Sequence, residues 1–231
     1  MKNLEHKSPF KREIDRADKQ LQRTSKIFEK VNLLYESGNI EGAFECAFDF
    51  SSAAENLTWT AREMPAYTGN PQARKRIEQG LIDHFPVRLG YTPEGWFGVI
   101  IPALLPKKRH GSPVIFGDSL FFAMRKFFWD KLQQKRYKDC TIIYRHVYHR
   151  DRPERQYRDH DNIEIKATLD TIAFYVMYDD SPLKCRHYYT TAVGDENRTE
   201  IFVVPQNEFR DWLDYADIHT NEEVILYENL P

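Results

Sequence analysis

The hydrophobic period of this chain changes at Pro86, from apolar residues spaced three or four apart to alternation and short β-branched runs. That change limits the fold more than any single motif, because a pattern with a helical period cannot be laid down as a strand, nor the reverse. Before it, Ile14, Leu21, Ile27, Phe28, Val31, Leu34 and Tyr35 predict a long amphipathic helix from Phe10 to Tyr35, stopped by Ser37-Gly38-Asn39. Phe44, Ala47, Phe48, Ala54, Leu57 and Trp59 predict a second helix from Ile40 to Met64, so the pair reads as an antiparallel hairpin. Pro65, Gly69, Asn70 and Pro71 interrupt the chain before a shorter third helix over Gln72–His84.

After Pro86 the pattern predicts a strand at Val87–Tyr91, a turn at Thr92–Gly95 and a strand at Trp96–Ile101. A helix over Ser119–Leu132 follows, N-capped by Asp118 or Ser119, and then a strand over Cys140–Tyr148. Next come a helix over Ile163–Ile172, an extended apolar return through Ala173–Tyr178, and the pair Asp179-Asp180. Leu183–Thr190 and Glu200–Val204, joined through Gly194–Asn197, read as a β-hairpin, and Phe209–Tyr215 as a closing helix. The expected class is α+β: a helical hairpin extension over residues 1–86, a mixed sheet with helices on one face over 87–215, and a C-terminal tail over 216–231.

Three cysteines, odd in number and widely spaced, support neither a disulfide framework nor a CxxC metal site. The first thirty residues are charged throughout and no later stretch is apolar enough to span a bilayer, which predicts a cytoplasmic protein with no membrane partner. The net charge of −2 hides an asymmetry: residues 105–160 hold fourteen Lys and Arg against six acids, an excess of +8. Such a window fits a phosphate-binding face on an otherwise acidic chain, and fits equally a set of solvated helix and loop charges.

Asp159 and Asp161 precede a predicted helix. If that segment is extended, their carboxylates share a face and repel one another, and a hard divalent cation, Mg²⁺ or Mn²⁺, relieves the repulsion. About ten helical residues rise about 15 Å, and an extended return of five residues covers a similar distance. Asp180 or Asp179 is thereby expected near the pair. Lys166 on the helix would add charge stabilisation at a phosphoryl centre, and Arg155 and Arg158 would grip flanking phosphates. His146, His149, His160 and His187 lie in the same basic, aromatic-rich region, where phosphate contacts or packing are commoner roles for histidine than metal ligation.

The order of these features resembles that of RusA-type Holliday-junction resolvases. The series is Val99-Ile-Ile-Pro102, Leu105-Pro-Lys-Lys-Arg109, a helix, Thr141–Tyr148, Arg158-Asp-His-Asp-Asn162, Lys166, Asp179-Asp180 and Leu183–Val204. It covers about residues 96–205, and Lys166 stands one residue further from Asp161 than in that family. The resemblance implies a Mg²⁺-dependent endonuclease acting on branched DNA in recombination or repair. It makes Asp159, Asp161 and Asp180 metal ligands and, with Lys166, catalytic residues, and assigns Lys107, Lys108, Arg109, Arg155, Arg158 and Asn162 to the nucleic acid. It also implies a homodimer. The whole chain further resembles an uncharacterised family of Firmicute mobile elements, through Arg62–Pro71, Gly95-Trp96-Phe97 and Tyr144–Tyr148. A RusA-like module that binds duplex or branched DNA without cutting is the alternative, and a third reading makes the helical hairpin an adaptor or dimerisation element.

Overall fold

A computed structural model describes residues 8–108, 115–129, 135–219 and 224–229. The chain divides into two compact units, Met1–Gly80 with Gly111–Ile115 and Leu81–His110 with Phe116–Pro231. In the first, α1 (Pro9–Glu36) and α2 (Ile40–Glu63) form the expected antiparallel hairpin. Ser8 Oγ accepts the Lys11 amide at 3.2 Å and Asn39 Oδ1 accepts the Gly42 amide at 2.9 Å, so each helix begins on a side-chain cap. Gly38 makes the turn between them at φ 77°, a conformation that costs a β-carbon-bearing residue energy. Phe28 and Phe50 meet across the hairpin with ring centroids 5.2 Å apart. A 3₁₀ turn (Met64–Thr68) leads to α3 (Ala73–His84).

The second unit is built on one five-stranded sheet in the order β1-β2-β5-β3-β4. Its strands are β1 (Arg88–Tyr91), β2 (Phe97–Ile101), β3 (Cys140–His149), β4 (Cys185–Gly194) and β5 (Arg198–Pro205). Only β3 and β4 pair in parallel, so the sheet is mixed. The α+β class, the N-terminal helices and the mixed sheet are as expected. The helices α4 (Ile115–Phe128) and α5 (Lys166–Val176) cover one face, packing Leu120, Met124, Phe128, Ile172 and Val176 on Phe97, Ile142, Tyr144 and Val203. The closing helix α6 (Phe209–Ile218) adds a cover to the other face, where Trp212 lies on Ile143, Phe202 and Val204.

Three local expectations are corrected. The segments expected to form a hairpin do not pair, because β3 lies between them. A parallel pair requires a crossover, and α5 supplies it between β3 and β4. Asp195-Glu196-Asn197 then steps over the end of β3, about 10 Å for two strand spacings, a span that three extended residues cover. Second, Ala173–Val176 is helical rather than extended. Thr168, Ile172, Tyr175 and Val176 are buried at helical spacing, and Tyr175 stacks on Phe128 at 5.6 Å, so burial overrides the β-branched and aromatic content of the run. Third, α4 begins at Ile115, which puts Asp118 and Ser119 inside the helix instead of at its cap. The helix ends at Phe128, and residues 130–132 of the longer expected helix lie outside the described residues.

The tail is part of the sheet's edge. Tyr227 exchanges two backbone hydrogen bonds with Tyr91, both 2.8 Å, and Val224 is buried against the α6 face. Among the described residues no helix is long and apolar enough to cross a membrane.

Candidate nucleic-acid interface

The basic 106–108 loop and the segment Asp161–Glu164, some fifty residues apart in sequence, are joined by main-chain hydrogen bonds. The Lys108 amide donates to Asn162 O at 2.8 Å and the Glu164 amide to Pro106 O at 2.8 Å, while Lys107 and Ile163 form an antiparallel bridge. Lys108 Nζ donates to Asp161 O at 2.8 Å. These bonds hold Ile163 and Glu164 out of the helix, which is why α5 starts at Lys166 and not at Ile163. Lys107, Lys108, Arg155, Asp159, Asp161 and Asn162 are all exposed. Arg158 is half-buried, and its amide donates to Tyr148 Oη at 2.9 Å. Burial and the neighbouring Arg152 lower the proton affinity of its guanidinium, whose Nη1 is buried without a hydrogen-bond partner among the described residues. Arg109 lies outside the described residues.

The three aspartates are not brought together. Asp159 is extended, but Asp161 sits in a 3₁₀ turn, His160–Asn162. At three residues per turn, positions two apart point in different directions, so the shared face expected for an extended pair is lost. Asp180 follows the C-terminal end of α5 by four residues, and its charge acts on Lys166. There the chain is anchored at the start of β3 and β4: Tyr178 N donates to Tyr137 O, Cys185 N to Ser181 O and Cys140 N to Lys184 O. His160, beside Asp161, instead bonds Thr191 Oγ1 at 3.2 Å, about six strand residues further along β4. Among the described residues no group of three or more His, Cys, Asp or Glu side chains is placed to hold a metal ion. Asp159, Asp161 and Asp180 form no such group.

Lys166 is paired within its own helix. Its ammonium pairs with Asp170 at 2.8 Å, and its amide donates to Glu164 Oε1 at 2.9 Å. The Asp170 hydrogen bond and charge raise its proton affinity, with smaller contributions from Asp180 and Glu164. Asp179 is occupied by Ser181, which donates from both its amide and its hydroxyl and lowers the carboxyl pKa.

Beneath the 157–163 segment lies a group that sequence reading weighed only as scattered histidines. Tyr144, His146 and Tyr148 alternate along β3, and the strand's period of two turns them toward the same face. His160 stacks between His146 and Tyr189, with centroids at 6.2 and 5.6 Å, and Tyr189 stacks on Tyr144 at 5.5 Å. His146 is fully buried, and among the described residues neither ring nitrogen has a partner, nor does Tyr144 Oη. Burial first, then His160 and Arg158, lower the His146 pKa to about 4, so its ring is neutral near pH 7. A neutral imidazole under an arginine that is itself half-buried gives the basic surface a rigid aromatic floor.

Of the other cations in the basic window, Arg145 is buried and paired with Glu200, Arg150 is paired with Asp195, and Lys135 and Arg136 donate to the Gly95 and Phe174 carbonyls. The excess of +8 is therefore not one continuous patch. A family model, DUF6100, described as a family of unknown function, matches residues 5–230. No curated protein matches the chain.

Proposed function

We propose that this chain, which belongs to the DUF6100 family of unknown function, binds duplex or branched DNA on the surface made by Lys107, Lys108, Arg155, Arg158 and Asn162. The observation that carries this reading is the bonding of the 106–108 loop to the 161–164 segment, which fixes the exposed Lys107 and Lys108 beside Asn162, four residues after Arg158. Phosphate contacts need such fixed donors to set register, and each one released from its counterions adds to the salt dependence of binding. The fuller form of the proposal is a RusA-like homodimer acting in the cytoplasm in recombination or repair.

Cleavage with Mg²⁺ or Mn²⁺ is the second reading. One observation favours it: Asp159 and Asp161 are exposed within the same basic surface, and among the described residues no hydrogen bond or ion pair engages their carboxylates. Bare carboxylates there oppose phosphate unless a cation accompanies the substrate.

Fluorescence anisotropy with labelled duplex and four-way-junction DNA over a salt series tests binding. The expected result is a steep loss of affinity with salt, and a slope of log K against log salt reduced by about 2 in the Lys107→Ala/Lys108→Ala variant. Absence of binding at about 50 mM salt, where phosphate contacts are strongest, would overturn it. Denaturing gels of the same junctions with Mg²⁺ or Mn²⁺ test the second reading, which requires Asp161→Asn to bind and not cut.

A further inference from the structure

We propose that Cys140 and Cys185 are a redox-active dithiol, which a hydroperoxide oxidises to a disulfide clasping the edge strand β4 to β3. The two residues are 45 apart in sequence, yet they are direct register partners on neighbouring parallel strands. Adjacent strands lie about 4.8 Å apart, inside the Cα separation of about 4.4–6.8 Å that a disulfide accepts. Both are free cysteines, each shifts the other's pKa, and the Cys185 thiol faces Arg186 O at 3.9 Å. His187, two residues along β4 and so on the same side of the strand, lowers the Cys185 pKa as well. The third cysteine, Cys46, lies in the other unit, where its thiol faces Ile27 O at 3.8 Å.

The asymmetry of the pair defines the roles. Interaction with Cys140 and His187 lowers the Cys185 pKa to about 5, and interaction with Cys185, with burial, raises that of Cys140. Cys185 is thus the thiolate and Cys140 the thiol that resolves it. Cys185 is also the first residue of an edge strand and follows the exposed residues Pro182, Leu183 and Lys184. Only 3% of Cys185 is exposed, so an oxidant must be small and must reach it through the opening at this strand end. A peroxide is small enough to use that opening.

The chemistry balances in two steps. The Cys185 thiolate attacks one peroxide oxygen, the O–O bond breaks, and hydroxide leaves and takes up the proton that Cys185 had released. Cys185 is then a sulfenic acid. The Cys140 sulfur attacks the Cys185 sulfur, the S–O bond breaks, and water leaves with the Cys140 proton. Two thiols are oxidised by two electrons and one hydrogen peroxide is reduced to two waters.

The experiment treats the reduced full-length chain with hydrogen peroxide, quenches it, alkylates under denaturing conditions and maps peptides by mass spectrometry. Two of the three thiols should be lost from alkylation, in a Cys140–Cys185 cross-linked peptide, with Cys46 still alkylated. In Cys140→Ser, Cys185 should accumulate as a sulfenic acid that dimedone traps. The oxidation rate should change by less than about twofold between pH 6 and 8, whereas a thiol of ordinary pKa slows on the order of a hundredfold over that range. The wild-type readout stands even if the serine variant fails to fold. Oxidation no faster than in the urea-unfolded chain, a cross-link through Cys46, or a rate that follows an ordinary thiol's pH profile would each overturn the proposal.

Discussion

Replacing Glu200 with glutamine isolates the most costly electrostatic commitment of the sheet. Glu200 is fully buried, and each carboxylate oxygen accepts from a different guanidinium: Oε2 from Arg145 Nε at 2.5 Å and Oε1 from Arg198 Nε at 2.7 Å. Arg145 is itself only 3% exposed and lies over the Phe202 ring, whereas Arg198 keeps 17% of its side chain in solvent. The glutamine is isosteric, so no cavity forms. What remains is a buried Arg145 cation without its counter-ion, and breaking a buried pair in this way costs about 3–5 kcal/mol. A unit of this size loses about 2–4 °C in Tm per kcal/mol, so the expected drop is about 10 °C, read by differential scanning calorimetry or urea unfolding. The double replacement Arg145→Met/Glu200→Leu removes both charges and should recover most of that loss, because Arg198 can turn to water. A loss below about 1 kcal/mol for Glu200→Gln would mean that the pair is solvent-screened. A double variant as unstable as the single would refute the assignment of the cost to an orphaned Arg145.

Acid should destabilise the sheet through His146. Its folded pKa of about 4 lies below the unfolded value of 6.5, so the unfolded chain binds the proton more readily. The contribution is complete above pH 6.5 and is lost as pH falls from 6.5 to 4, by about 3 kcal/mol at 1.36 kcal/mol per unit. His146→Phe, which keeps the stack with His160, should flatten that limb of a stability–pH curve measured by urea unfolding; an unchanged slope would place the titration elsewhere. Gly90→Ala should detach the C-terminal segment, since a β-carbon at 90 would lie 2.6 Å from the Tyr227 carbonyl oxygen. Faster amide exchange at Tyr91 and Tyr227, with β3 still protected, is the expected signature.

Elements that depend on local pattern were legible in the sequence, and those that depend on which strand meets which were not. The periods of α1, α2 and β3, with the stop at Ser37-Gly38-Asn39, are written in consecutive residues. The place of β3 between β4 and β5 is set by the α5 crossover and a three-residue step over the strand's end. A hairpin reading of Leu183–Val204 has the right strands and turn but cannot see the third strand that intervenes. The Cys140–Cys185 pairing is hidden for the same reason. Spacing along the chain predicts a cysteine pair only when the loop between them is simple, and here it contains a helix and two 3₁₀ turns.

The site was legible as composition and misread as geometry. Arg158–Asn162 and the 105–108 loop were both singled out from sequence, and their union rests on backbone bonds that no side-chain pattern encodes. The cluster of three carboxylates depended on two local conformations, an extended Asp159–Asp161 and an extended Ala173–Tyr178. Tertiary packing chooses differently at both. The 106–108 loop draws Ile163 and Glu164 into an extended pairing and delays α5, while the burial of Ile172, Tyr175 and Val176 prolongs it. The later start leaves Lys166 in the first turn, where Asp170 one turn on captures its ammonium. Lys166 and Asp170 therefore compete with any ligand for each other. If Lys166 is to meet a phosphate it must first leave that pair, so Asp170→Asn should tighten DNA binding, and weaker binding would show that the pair orders the surface instead.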